Sequence, residues 1–244
     1  MKNLLLIIML LVCGKAFSQD SGWVFSLYTT PSYSFRTLKA SGAGGNDTVQ
    51  KLNAIDKGVV KFDIGLRIAK NLGRRMRFTI GLAYTSKGYE SNVTIDTPSV
   101  GTTQYKTNVI QYNRYTFIEV PVYLTYKICD SVFKLGIIGG VANSFLNQYS
   151  VDIPTYDYST RNLIREPVVY SGADLTSNNI ATYHLYLLFG IEVGYQISDH
   201  FNLFAQPNVR YGLTNFWPGG TQNWNNVDGR LYNIGASFGF DYKF

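Results

Sequence analysis

The stretch that most constrains this chain is its last one, Leu231-Tyr-Asn-Ile-Gly-Ala-Ser-Phe-Gly-Phe-Asp-Tyr-Lys-Phe244. From Tyr232 onward every second residue is apolar or aromatic: Tyr232, Ile234, Ala236, Phe238, Phe240, Tyr242 and Phe244. Between them lie Asn233, Gly235, Ser237, Gly239, Asp241 and Lys243. A period of two residues places one set on each face of a β-strand, so this strand has one greasy face and one wet face. A soluble sheet would bury the greasy face in a core. A strand with lipid on one side and a polar lumen on the other carries the same pattern, and it recurs along the chain.

Elsewhere the alternation is equally plain. Val60, Phe62, Ile64, Leu66 and Ile68 alternate with Lys61, Asp63, Gly65 and Arg67. Met76, Phe78, Ile80, Leu82 and Tyr84 alternate with Arg77, Thr79, Gly81 and Ala83. Ile118, Val120, Val122, Leu124 and Tyr126 face away from Glu119, Pro121, Tyr123 and Thr125, and Leu185 to Tyr195 repeat the rule against His184, Tyr186, Gly190 and Glu192. In none of these segments does the apolar face carry a charge. That fixes its phase, because Lys or Arg on the lipid face at mid-bilayer costs ~2–4 kcal/mol.

Eight strands are expected, at about 23–35, 59–69, 76–86, 114–127, 132–145, 181–197, 201–213 and 231–244. Short links near 70–75, 128–131 and 198–200 separate long ones at 36–58, 87–113, 146–180 and 214–230. With no apolar run of ~18 residues beyond the start of the chain, only a closed barrel could span a membrane. The expectation is an all-β, eight-stranded antiparallel up-and-down transmembrane barrel, with short turns and both termini periplasmic and long loops outside. The start of the chain agrees. Lys2, the apolar run Leu4–Val12 and Ala16-Phe17-Ser18 read as an export signal cleaved after Ser18, leaving 19–244 as the barrel domain. Leu10-Leu11-Val12-Cys13 partly resembles a lipoprotein signal, but Val12 stands where a small residue belongs.

Composition narrows the function classes. The net charge of +6 falls to +4 once Lys2 and Lys15 leave with the signal, and the remaining Lys and Arg form no patch, so nucleic acid is not expected as a partner. Anionic lipid headgroups and lipopolysaccharide suit a scattered positive charge better. The 19 Tyr and 15 Phe are what interfacial girdles require. Loss of Cys13 leaves Cys129 alone, which excludes an internal disulfide.

Several segments are similar to the PorT-like outer-membrane β-barrel proteins of the Bacteroidetes. The segment Arg114-Tyr-Thr-Phe-Ile-Glu-Val-Pro-Val-Tyr-Leu-Thr-Tyr-Lys127, with Glu119-Val120-Pro121-Val122 at its centre, resembles that family's fourth strand. The glycine-rich run 134–140, Val209–Thr214 and the aromatic terminus fit as well. Phe238, Phe240, Tyr242 and Phe244 resemble the assembly signal read by the barrel-assembly machinery. The resemblance implies a barrel in the outer membrane and, from the family's founding members, a part in protein secretion with secretion-system components as partners. It implies no catalytic residue and no cofactor.

Parity points Lys61, Asp63, Arg67, Arg77, Glu119, Lys134, Glu192, Arg210, Asp241 and Lys243 inward. The interior of an eight-stranded barrel is just wide enough for side chains to fill. These charges therefore form either a salt-bridged plug or the lining of a narrow pore. Counting from the turns sets Lys61, Glu119 and Arg210 at similar height. The two histidines make a weak case for a lipid hydrolase or protease, with His184 as its base. The leading expectation is a non-enzymatic barrel acting through loop or periplasmic contacts, with Tyr156, Tyr158, Trp217 and Trp224 as the loop binding candidates.

Overall fold

The computed structural model describes residues 22–40, 46–100, 103–157, 162–172, 174–175, 180–215 and 227–244. The expected export signal and the loop residues Tyr158, Trp217 and Trp224 lie outside these residues; Tyr156 is placed by its backbone alone. In chain order the elements are β1 (Trp23–Ala40), α1 (Asn46–Ile55), β2 (Asp56–Leu72), β3 (Met76–Val100), β4 (Thr103–Asp130), β5 (Phe133–Asp157), β6 (Asn162–Ser171), β7 (Tyr183–Gln196), β8 (Phe201–Gly212) and β9 (Val227–Lys243).

Each strand pairs antiparallel with its neighbours in the order β4-β3-β2-β1-β9-β8-β7-β5, and β4 against β5 closes the ring. Eight strands thus form the up-and-down barrel. The ninth, β6, lies outside the ring. It pairs only with the far half of β5, Gln148–Asp157, whereas Phe133–Phe145 of β5 pair with β7. The switch of partner occurs at a bulge. Thr116 faces Gln148 and Phe117 faces Leu146, so Asn147 is the extra residue, and it brings Tyr149 and Val151 inward in place of Gln148 and Ser150. At Gly73, in the β2–β3 turn, φ is 77°, a conformation that favours a residue without a Cβ. The ladder skips rungs beside Pro31 on β1, Pro121 on β4 and Pro207 on β8, as expected of residues that have no N–H to donate.

The outer surface is inverted relative to a soluble protein. Phe62 is 67% exposed and Ile64 57%, and the rest of the outward row of β2 (Val60, Leu66, Ile68) is exposed as well. Outward apolar rows run over residues 60–68, 76–84 and 118–126, nine residues each, which matches the 9–11 that a tilted strand needs to cross a bilayer. Aromatic girdles bound this belt. On the short-turn side Phe133 packs on Tyr195 (5.2 Å between centroids), Phe201 on Tyr242 (5.0 Å) and Tyr242 on Phe244 (4.9 Å). On the other side Phe35 stacks on Tyr232 (5.4 Å), Tyr211 meets Tyr232 edge-on (5.1 Å) and Phe145 packs tilted on Tyr183 (5.5 Å). Exposed charges on the outward face begin beyond the second girdle, with Arg114 paired to Asp152 at 3.3 Å.

The strand boundaries expected from the sequence are too short at the end away from the short turns. Much of 36–58, 87–113 and 146–180, expected as loop, is regular structure: β1 runs to Ala40, β3 to Val100 and β5 to Asp157, and 46–55 is helix. The physical reason is that the two-residue apolar rhythm needs lipid on one face. Above the belt both faces meet water or protein, so the rhythm fades while backbone pairing and β-forming Val, Thr and Tyr carry the hairpins on. At 28 residues, β4 is roughly 90 Å long, several times what the hydrocarbon core demands.

Candidate functional site

Inside the belt the lumen is filled by two layers of charge, each summing to zero. Nearer the short turns are Arg67 (β2), Arg77 (β3), Glu192 (β7) and Asp241 (β9), all buried. Arg77 grips both carboxylate oxygens of Glu192 and lies 3.5 Å from Asp241. Arg67 donates to Asp241 (3.2 Å), the Tyr123 hydroxyl (2.7 Å) and Gln206 Oε1 (2.7 Å), with Glu192 at 3.7 Å. Its guanidinium sits 3.8 Å over the Phe204 ring, and Ser26 donates to Asp241 at 2.6 Å.

Farther out are Asp63 (β2), Lys87 (β3), Glu119 (β4) and Arg210 (β8). Arg210 reaches Asp63 at 2.8 Å and Glu119 at 3.2 Å, and Lys87 Nζ lies 2.9 Å from Glu119. Ser144 donates to Glu119 at 2.6 Å, and the Ser86 N–H donates to Asp63 at 3.1 Å. Lys87 also lies 3.5 Å over the Tyr186 ring. Buried charge is tolerable only when paired and hydrogen-bonded, and both layers meet that condition from strands on opposite sides of the barrel. Between the layers is a cavity of about 20 Å³ beside Tyr28, Arg67, Gln206 and Arg210, room for about one water.

An aromatic lid covers the outer layer. Tyr89, Tyr115, Tyr149 and Tyr170, from β3, β4, β5 and β6, stack in a column with successive centroid separations of 6.2, 4.5 and 5.5 Å. Phe117, Leu146, Val151, Leu175, Ile180 and Leu231 pack with it. At its end the Arg36 guanidinium lies 4.0 Å over Tyr89, donates to the Tyr89 hydroxyl at 2.7 Å and binds Asp56, which accepts from Ser91 at 2.5 Å. Helix α1 lies against β1 beside this pair through Val49 and Leu52 on Leu38, and the Asn53 amide bonds both the N–H and the C=O of Leu38 at 3.0 Å.

Seven of the ten charges expected to point inward therefore sit together in these two layers: Asp63, Arg67, Arg77, Glu119, Glu192, Arg210 and Asp241, while Lys134 and Lys243 stand at the short-turn mouth. Lys61 does not join them. It is half-buried, makes no ion pair among the described residues, and falls where β2–β3 pairing is interrupted between Gly58 and Ile64. The partner of Glu119 is Lys87 instead, from a segment expected as loop. Continuing the inward row of β3 past Thr85 would have found both Lys87 and Tyr89. Phe238, Phe240, Tyr242 and Phe244 are on the outward face of the last strand or at its end. His184 is a buried ring under the lid. It meets Phe117 edge-on at 5.5 Å, the Ala181 carbonyl at 2.9 Å and the Thr214 hydroxyl at 3.5 Å. Among the described residues no three His, Cys, Asp or Glu converge as a metal site.

No family model matches this chain, and no curated protein is similar to it in sequence. Among solved structures it is similar to a major outer membrane protein from Thermus thermophilus (10% identity, 91% of this chain and 99% of that one, TM-score 0.47). It is also similar to Ail, the attachment invasion locus protein of Yersinia pestis (13%, 91% and 99%, 0.35), and to the outer membrane protease OmpT of Escherichia coli (11%, 93% and 98%, 0.41). The barrel assignment rests on this chain's own closed ladder, with β4 paired to β5.

Proposed function

We propose that this chain is a non-conducting, non-enzymatic barrel of the outer membrane that acts through its outer hairpins, with the short turns and both chain ends in the periplasm. One observation carries the reading: the lumen is filled by two neutral charge layers under an aromatic lid, while β3, β4, β5 and β6 extend well beyond the apolar belt. A filled lumen offers solutes no path. The long hairpins, stiffened by α1 on β1 and β6 on β5, offer a rigid outer surface, and rigid scaffolds with exposed ends are where recognition resides. The similarity of Arg114–Lys127 to the PorT-like fourth strand supports a secretion-system component as the partner. Planar-bilayer recording on the purified chain should give no unitary conductance. Pull-downs from native outer membranes should recover a partner that is lost when the β5–β6 extension, 148–171, is shortened. Steady conductance by the intact chain, or full partner recovery by a shortened chain that assembles, refutes the reading.

A further inference from the structure

At the opposite end from these hairpins, the short-turn mouth holds a polar cavity of about 100 Å³. Its floor is Arg77 and Glu192 of the inner charge layer. Its walls include Thr125 of β4, Lys134 of β5 and Lys243 of β9. The charges around it do not cancel. The layer beneath is neutral, and Lys127 is matched by Asp130 at 2.9 Å. Lys134 and Lys243 remain, and among the described residues neither has an acidic side chain in ion-pair contact. Lys134 donates only to the neutral Asn202 Oδ1, at 2.7 Å.

Two of the lining residues, both more than nine-tenths buried, carry a donor without any hydrogen-bond partner among the described residues: Nε of Arg77 and the hydroxyl of Thr125. Asn71 Oδ1, an acceptor, is unpartnered as well. A buried donor without a partner is costly. A water could satisfy Thr125, but it would leave the excess positive charge of Lys134 and Lys243 at this mouth unchanged.

We propose that this vestibule binds a small oxyanion, a phosphate or carboxylate group entering from the short-turn side. The two lysines supply its charge, and a small side-chain shift of Arg77 or Thr125 would bring a free donor to its oxygens. Charge-assisted contacts of this kind are about twice as strong as neutral ones. The site is a dead end, because the Arg77–Glu192 and Arg67–Asp241 pairs close the lumen above it, so the ligand is held rather than passed. This inference stands apart from the reading of the outer hairpins, and either can fail alone.

The test is calorimetric titration of the full chain, in a maltoside detergent at pH 7 and low salt, with inorganic phosphate, with acetate and with chloride as control. Saturable binding of phosphate or acetate at one per barrel is expected, and the stronger of the two names the oxyanion. Lys134→Met and Lys243→Met should each weaken it about tenfold, on the scale of one hydrogen bond to a charged group. Lys39→Met, at the far end of β1, should leave it unchanged. Lys243 is exposed, so its replacement does not threaten folding. Absence of saturable binding at millimolar phosphate and acetate overturns the proposal, as does equal weakening by Lys39→Met.

Discussion

Replacing Glu119 by Leu is the sharpest test of the filled lumen. Glu119 is fully buried between Lys87 and Arg210, with Asp63 completing a layer of two cations and two anions. Removing the carboxylate leaves that layer at +1 and strands Lys87, itself fully buried, whose salt bridges among the described residues are all to Glu119. Breaking a buried pair on one side costs ~3–5 kcal/mol, because the remaining charge stays out of water. For a chain of this size ~1 kcal/mol moves the midpoint by about 2–4 °C, so Glu119→Leu should melt roughly 6–20 °C lower. Glu90→Leu, above the belt, should shift it by no more than ~0.5 kcal/mol. The decisive variant is the double, Glu119→Leu with Lys87→Met. It restores a neutral layer around the 2.8 Å Arg210–Asp63 pair and should recover most of the loss, since exchanging both members of a buried pair for apolar residues is often close to neutral. Melting would be followed by circular dichroism in detergent. A single variant that melts with Glu90→Leu, or a double that melts as low as the single, refutes the argument.

Further outcomes are expected from the rest of the molecule. Ile64→Arg, in the belt, should destabilise the barrel in lipid vesicles by ~2–4 kcal/mol, whereas Ile110→Arg, on the same outer face beyond it, should have little effect in the same urea titration. Asn53→Ala removes the two bonds from α1 to Leu38, worth ~1 kcal/mol each, and should speed proteolysis within 46–55 while leaving the barrel's melting unchanged. Cys129, exposed at the short-turn end of β4, should resist a membrane-impermeant maleimide in intact cells and react once the outer membrane is permeabilised. A cysteine placed at Lys39 should react in both conditions, and the reverse pattern would invert the topology.

Barrel architecture, the outward face of each regular strand and seven of the ten charges expected to point inward followed from the sequence alone. The reason is physical: lipid on one side and a narrow polar interior on the other impose a two-residue rhythm, and a charge such as Glu119 or Arg210 can stand only on the inner half of it. That rhythm is local, and it ends where lipid ends. Nothing in the spacing of residues 87–113 or 146–171 announces that Lys87 neutralises Glu119, that Tyr89, Tyr115, Tyr149 and Tyr170 stack across four strands, or that β6 adds to β5 outside the ring. Those contacts depend on register around a closed barrel, in which β2 faces β8 across the lumen and a single extra residue at Asn147 turns Tyr149 inward. Pairing of charges, closure of the lid and the gathering of Lys134 and Lys243 at the short-turn mouth are properties of that closure, so only the tertiary structure could decide them.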